Sequence, residues 1–502
     1  MKKTYLIGTD IGTSACKTAL FSPDGSVVAD SSREYPLTHP HPGWAEQDPR
    51  DWYSAAALSI RECIEKSGVD PADIAGVGID GQSWSAIAVD RDGNVLCPDP
   101  IWMDTRASDI CDRLNREFGR DMLMKLCGNP LTPQYATGKI LWYKENLPEI
   151  FPKIYKILQS NSYIAYRLTG KMTTEPSEGY GFHCFDMRNC RWDGDMARML
   201  GIPEGFLPDI YPCHGIIGGV TDAAAAECGL LAGTPVVAGA VDAACAPIGA
   251  GCIADGDTQE QGGQSGGMSI CTSVFAPDPR LILCASVIPG QYLVQGGTVG
   301  GGSVMRWSSK EFGDFERIEE QKGGQRVLAQ FDGMAEKINP GCDGLIFLPY
   351  MNGERTPIWD PDAKGVFYGI DFSKTKGHFV RALMEGVAYS LRHNLDTAAK
   401  SGSHVSVLRA TGGAANSRFW TQLKADVTGI PVTVPGSDNA TGLGAAILAG
   451  VGTGVYSGFG EAVSMTVGEK RRHDPDPGLF GIYTRNYNAY LELYERTKGL
   501  KI

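Results

Sequence analysis

The stretch GTDIGTSACKTALF, Gly8 to Phe21, constrains this chain more than any other. The apolar run Tyr5-Leu6-Ile7 reads as a strand with Asp10 at its end. Gly12-Thr13-Ser14 supplies a tight turn with free N–H and hydroxyl donors, Lys17 to Phe21 returns as a second strand, and Pro23-Asp24-Gly25 turns the chain again. A donor-rich turn of this kind can cradle phosphate through its N–H groups, while the carboxylate beside it holds the phosphate's metal through water. A hairpin with a polar tip is the plainer reading of the stretch taken alone. The segment Gly256 to Gly267 has the same ingredients, with Gly263, Gln264, Ser265 and Gly266 leading into another strand. The second half is therefore expected to open on a phosphate-facing hairpin of its own.

A chain of 502 residues has room for about two to four domains. Its 64 glycines imply many tight turns and close backbone approaches. The net charge of −12, with no basic block to offset it, argues against nucleic acid or an anionic membrane as partner; Lys470-Arg471-Arg472 reads as a solvated patch. Fourteen cysteines without a C-x-x-C pair fit neither a disulfide framework nor a zinc site, so reduced thiols are expected. No signal peptide is visible, and the apolar stretch from Val236 to Ala254 is interrupted by Asp242 and glycines, so the expected location is cytoplasmic.

Along the chain, Ile74 to Ser83 reads as a buried strand running into a Gly-Gln turn, and Asp92-Gly93 marks a hairpin between two apolar strands. Helical periodicity begins at Asp109 and again at Gly138, and Gly170 to Pro212 is loop-rich. A helix, a strand over Val236 to Ala240 and a second helix beginning at Asp242 follow. Leu408 to Val432 reads as strand, Gly-Gly turn and helix with Ser417 near the helix start, and NATGLGAAILAGVGTG is an Ala/Gly helix packed closely on a neighbour. The two halves share a plan, each a mixed sheet with helices.

Nine motifs lie in order between residues 6 and 450: GTDIGTSACKT, PGWAEQDPRDWY, GIDGQS, IWMDTR, KILWYKEN, TPVVAGAVDAA, FLPYMNGERTP, GVFYGIDFSKTKGHFVRALMEGVAYSLR and TGGAANSRFWTQLKADVTGIPV. Together they make the chain resemble the FGGY family of carbohydrate kinases, and within it the xylulose kinases. The resemblance implies an α/β, two-domain actin-like ATPase (ribonuclease H-like) fold with an interdomain cleft. An N-terminal domain over residues 1–252 would hold the sugar and the catalytic base, and a C-terminal domain over 253–502 the nucleotide. The implied reaction transfers the γ-phosphoryl group of ATP, with Mg2+ as cofactor, to a ketose hydroxyl. D-xylulose giving xylulose 5-phosphate is the first choice; ribulose, another ketose or a polyol are alternatives. An actin- or Hsp70-like conformational ATP-binding module and a sugar-binding regulator stay open as readings of another class. The implied partners are a small-molecule sugar and ATP, with a homodimer left open and neither nucleic acid nor membrane.

The resemblance also distributes roles. Asp242, in GAVDAAC, matches the family's general base, and an Asp ending an apolar strand in a cleft can take a sugar hydroxyl's proton. An Asp before Ala-Ala equally suits a helix N-cap. Asp10 shares the catalytic assignment and, with Asp242, the Mg2+ site. Gly12, Thr13, Ser14 and Lys17 are implied at the γ-phosphate, and Gly263, Gln264, Ser265, Gly301, Gly412, Gly413 and Asn416 around the rest of the nucleotide. Gln82, Ser83, Trp84, Asp104 and Arg106 join Asp242 on the sugar side, with Asp104 and Arg106 either facing the sugar or bracing its loop. Three departures from the xylulose kinase pattern stand out: Gln264 for Thr, Ser83-Trp84-Ser85 for Met-His-Gly, and Ala243 for Asn. Trp84 could lie against a sugar's C–H face or belong to the core.

Overall fold

In the computed structural model, which describes residues 4–437 and 439–500, the opening stretch forms the expected hairpin. Strand β1 (Tyr5–Ile11) runs antiparallel to β2 (Ala15–Phe21), and β3 (Val27–Glu34) extends the meander. β4 (Ile74–Gly81) lies parallel to β1 in a register that sets Asp80 opposite Asp10. β5 (Ile216–Gly219), β6 (Pro235–Val237) and β7 (Ala240–Val241) complete the sheet, in the order β5-β6-β4-β1-β2-β3 with β7 also paired to β4. The strand expected over Val236 to Ala240 is broken at Gly239. That residue has φ +82, and a Cβ there would stand 2.1 Å from the Ile79 carbonyl oxygen, so the chain jogs before resuming as β7. Helix α1 (Pro49–Ser67) covers this sheet; Asp48 caps it, and it buries Trp52, Ile60 and Cys63.

The second sheet consists of β8 (Asp257–Gly262), β9 (Gly266–Thr272), β10 (Ile282–Ala285), β11 (Tyr292–Thr298), β12 (Val407–Thr411), β13 (Val432–Pro435) and β14 (Glu469–His473), in the order β10-β11-β9-β8-β12-β13-β14. Its core repeats the first. The antiparallel meander β8-β9-β11 joins parallel β12 and β13 and an antiparallel edge, β14, as β1-β2-β3 joins β4, β6 and β5. The hairpin anticipated at Asp92-Gly93 is smaller than expected. Asp90 accepts from the N–H groups of Asp92 and Asn94 at 2.9 Å, which closes a tight turn, and Ile87–Val89 pairs instead with Lys156–Leu158. Among the described residues no helix is long and apolar enough to cross a membrane.

Helices α2 (Asp242–Gly249), α3 (Gly302–Phe312), α4 (Lys376–Lys400), α5 (Arg418–Thr428) and α6 (Ala440–Gly452) complete the frame used below. The Ala/Gly helix α6 comes from the second half of the chain yet packs on β1, β4 and α2 of the first. The reason is steric. Gly8 and Gly78 are register partners, and a Cβ on either would lie 1.9 Å from a carbonyl oxygen of α6, Gly442 for the first and Ala445 for the second. Bare backbone on the sheet thus meets small residues on the helix, and the N-terminal turn of α6 lies toward the strand ends that carry Asp10 and Asp80. Gly78→Ala should lower stability by about 1–3 kcal/mol through overpacking. Gly205→Ala, where no atom lies within 4 Å of the added Cβ, should be near neutral. Paired thermal melts check this.

Candidate active site

Three carboxylates gather where β1, β4 and β7 end. Asp10 faces Asp80 across the parallel pair, Ala240 is the register partner of Asp80 on the other side, and Asp242 follows β7 as the first residue of α2. Burial raises the pKa of Asp10, and Lys17, its register partner on β2, only partly opposes this. Burial, then the charge of Asp10, pushes Asp242 up to about 7, although the Ala243 N–H donates to its Oδ1 at 2.6 Å. Asp80 is fully buried, and neither of its oxygens has a donor within hydrogen-bond geometry. Its pKa lies well above the ordinary range, first through burial and then through the charges of Asp10 and Asp242. Sequence reasoning missed Asp80, although it ends a strand just as Asp10 does.

The Gly12–Ser14 turn is partly closed on itself. The Gly12 N–H donates to the Ala15 carbonyl at 3.2 Å, so it is not a free donor as expected. Thr13 Oγ1 accepts from Trp102 Nε1 at 2.9 Å and keeps its own proton to donate, while Ser14 and Lys17 are exposed. Gln82, the residue after β4, braces this turn. Its N–H donates to the Ile11 carbonyl, and its side-chain amide donates to Gln47 at 2.9 Å, which in turn donates to the Thr13 carbonyl. Gln82 Oε1 is buried without a donor.

Ser83 and Trp84 come next and are both half-buried. The Trp84 ring packs against Tyr135 and Tyr180 at centroid distances of 4.6 and 5.7 Å, and Ser83 Oγ lies 3.5 Å from the Tyr180 hydroxyl. Glu178 and Lys139, which the sequence reading passed over, hold the Trp84 backbone from below. Lys139 sits inside a quoted motif; Glu178 lies in a segment read only as loop, where no periodicity marks it. Of the two roles left open for Asp104 and Arg106, the geometry supplies the brace. The Arg106 guanidinium pairs with Asp104 and Glu46, each at 2.7 Å, lies over Trp44 at 3.8 Å, and leaves its side chain 3% exposed. Asp104 also accepts from the Ala45 N–H at 2.7 Å.

In the second domain a cavity of about 470 Å³ brings together Gly263, Gln264, Gly413 and Asn416, with Gly302, Arg306 and Trp420 also on its wall. Gln264 Oε1 accepts from Arg306, which leaves the Gln264 amide protons as its donors. The start of α3 is tied to this hairpin, since the Gly302 and Ser303 N–H groups donate to the carbonyls of Gly263 and Gln264 at 2.8 and 3.0 Å. Gly301 and Gly412 lie behind the wall as contact points. A Cβ on Gly301 would be 2.3 Å from the Ser265 carbonyl carbon, and one on Gly412 2.9 Å from the Gly262 oxygen. Ser417 caps α5 by accepting from the Trp420 N–H at 2.9 Å. The two domains meet next to Asp242, where Gln295 on β11 donates to the Ala243 carbonyl at 2.9 Å.

This pairing of a carboxylate cluster with a glycine-walled cavity coincides with a family match over both halves. The profile of the N-terminal domain of the FGGY family of carbohydrate kinases matches residues 5–249, and that of its C-terminal domain matches residues 276–453. The chain belongs to the FGGY family of carbohydrate kinases. It is 31% identical to the xylulose kinase of Bacillus subtilis over 498 residues, covering 99% of this chain and 98% of that enzyme. It is also 30% identical to the gluconokinase of the same organism over 474 residues, covering 94% and 92%. The crystal structure of xylulose kinase from Rhodospirillum rubrum superposes with a TM-score of 0.89 at 31% identity, covering 98% of this chain and 99% of that one. The FGGY protein is thus a sugar kinase with the two-domain α/β fold its motifs implied. Arg106→Leu should cost this kinase about 3–5 kcal/mol, because it removes the cation from the buried Asp104 and the half-buried Glu46. Arg106→Lys should recover only part of that, since an ammonium cannot make the bidentate fork. Chemical denaturation of both variants measures the difference.

Proposed function

We propose that the protein transfers the γ-phosphoryl group of ATP to a hydroxyl of a ketose, with D-xylulose giving xylulose 5-phosphate as the first choice and ribulose, another ketose or a polyol as alternatives. The observation that carries this reading is the position of Asp242, a carboxylate held near neutral at a strand end beside Asp10. ATP is assigned to the glycine-walled cavity of the second domain, with its phosphates directed at the Thr13–Ser14 turn. The conformational-module reading leaves the buried, braced acceptor side from Gln82 to Arg106 without a use.

The carboxylates at the sheet end suit Mg2+ held through water, since among the described residues no three His, Cys, Asp or Glu side chains are grouped closely enough to ligate one ion directly. Their donors are hard carboxylate oxygens, and Lys17 only partly offsets the cost of burying Asp10 beside Asp80, whose oxygens have no donor. Asp10 and Asp242 would hold the ion, which when bound supplies positive charge to the phosphate oxygens. The chain's own residues do the rest. Asp242 accepts the proton of the attacking hydroxyl as the new O–P bond forms and the bond from the γ-phosphorus to the ADP oxygen breaks. The Thr13 hydroxyl and the turn's remaining donors steady the transferring group, and Gln82 Oε1 is free to accept from a sugar hydroxyl. Water lacks the fixed orientation of a bound sugar, so hydrolysis of ATP without acceptor should be slow.

Initial rates of ADP release across pentuloses, hexuloses, tetritols and glycerol test the reading; no acceptor-dependent release from any of them would end it. Asp242→Asn should keep acceptor and ATP binding while kcat drops roughly 10²- to 10⁴-fold. Asp10→Asn should instead raise the Mg2+ concentration needed for half-maximal rate, a defect that added Mg2+ partly repairs. The pH profile has a definite sign. Burial raises the Asp242 pKa, so the base is protonated and inactive below about pH 7. Sugar kcat/KM should therefore fall about tenfold per unit below that point. A rate that held steady down to about pH 5 would point to a base with an ordinary carboxylate pKa.

A further inference from the structure

Arg306 stands on the wall of the second-domain cavity of about 470 Å³, together with Gly263, Gln264 and Gly302. The backbone fixes its place there. The Gly302 and Ser303 N–H groups donate to the carbonyls of Gly263 and Gln264, and a Cβ on Gly302 would lie 2.5 Å from the Gly263 oxygen. The start of α3 therefore rests directly on the β8–β9 hairpin. Arg306 follows Gly302 by four residues and shares its face of the helix. From that face the Arg306 guanidinium donates through Nη2 to Gln264 Oε1 on the hairpin loop.

No carboxylate neutralises this guanidinium. Among the described residues none lies within ion-pair distance of it, and Gln264 is the one hydrogen-bond partner of its side chain. Lys424, also close to the hairpin, differs in both respects: its side chain is 1% exposed and it pairs with Glu260 at 2.6 Å. Arg326 lines the same cavity, but no side-chain hydrogen bond among the described residues ties it to the hairpin. A guanidinium held by one arm presents its other N–H groups in a set orientation, and its planar fork matches a phosphate. The sheet end of the first domain sets Asp10, Asp80 and Asp242 against Lys17, so it leaves the negative charge of a diphosphate largely unmet.

We propose that Arg306 binds the diphosphate part of ATP and ADP, with Gln264 as the positioning residue that aims it; this rests on the kinase reading above, which puts the nucleotide in this cavity. Gln264, standing where the xylulose kinase pattern has Thr, then serves the phosphates through a cation rather than through a hydroxyl of its own.

The test titrates the full-length protein with ATP, ADP and adenosine, comparing Arg306→Gln, Arg306→Lys and Arg326→Gln with the parent. Arg306→Gln should raise Kd for ATP and ADP about 10- to 100-fold, the range for a hydrogen bond between charged groups, and leave adenosine within about twofold. Arg306→Lys should recover part of the loss, because it keeps the charge without the fork. Salt is a second readout: raising NaCl from about 0.05 to 0.5 M should weaken ADP binding several-fold in the parent and distinctly less in Arg306→Gln. A merely structural role would weaken adenosine in step with ADP and leave the salt dependence unchanged, and that result overturns the proposal. So does an equal loss in Arg326→Gln, which would reduce Arg306 to the general field of the cavity. Gln264→Leu should cost ADP affinity several-fold, and Gln264→Leu combined with Arg306→Gln should cost less than the product of the two single losses. A full product overturns the positioning role. Parent-like ADP affinity in Arg306→Gln overturns this proposal alone, whereas a parent that binds neither ATP nor ADP and releases no ADP with any acceptor overturns the kinase reading and this proposal with it.

Discussion

The parallel register of β1, β4 and β7 brings three carboxylates to one end of a sheet, and much of the molecule answers to that placement. Like charges taken out of water repel one another and lose hydration, so such a cluster is costly unless protons or cations neutralise it. The raised pKa values of Asp10, Asp80 and Asp242 express that cost in the free protein. In the proposed reaction the same imbalance is what Mg2+ and, through it, the phosphates of ATP would relieve. The cluster therefore costs stability in the free protein.

Closeness of backbones is the second constraint, and it links the domains. Helix α6 can rest on β1 and β4 because glycine occupies both register positions beneath it. A helix contributed by the second half of the chain is thereby fixed to the sheet that carries the carboxylates, with its positive N-terminal end toward them. Elsewhere the halves share a continuous apolar cluster that joins Leu131, Tyr180 and Phe182 to Leu283, Cys284 and Leu293, with polar contacts beside it such as Gln295 with the Ala243 carbonyl and Asn129 with the backbone of Leu283.

Much of this was legible in the chain itself, and the reasons are local. The β1–β2 hairpin, its second-half counterpart at Gly262–Gly266, the Ser417 cap of α5 and the helix opening at Asp242 all rest on turn glycines or caps, whose signals lie within a few residues. What escaped depends on distant partners. Nothing near Glu178 marks it, because its role arises from the approach of Trp84, 94 positions earlier in the chain. Arg106 could be assigned a brace only once Trp44 and Glu46 were seen against it. The break in the strand at Gly239 reflects the Ile79 carbonyl pressing on it. Asp80 had the same strand-end signature as Asp10 and was legible in principle.

The account turns on the sheet-end carboxylates being the place where sugar and phosphate meet. A crystal structure with a ketose and a non-hydrolysable ATP analogue bound together addresses this directly. A sugar hydroxyl within hydrogen-bond distance of Asp242, with the terminal phosphate beside Thr13 and Asp10, is the predicted result. A ketose seated away from β7, with Asp242 turned only to its own helix as a cap, would contradict it.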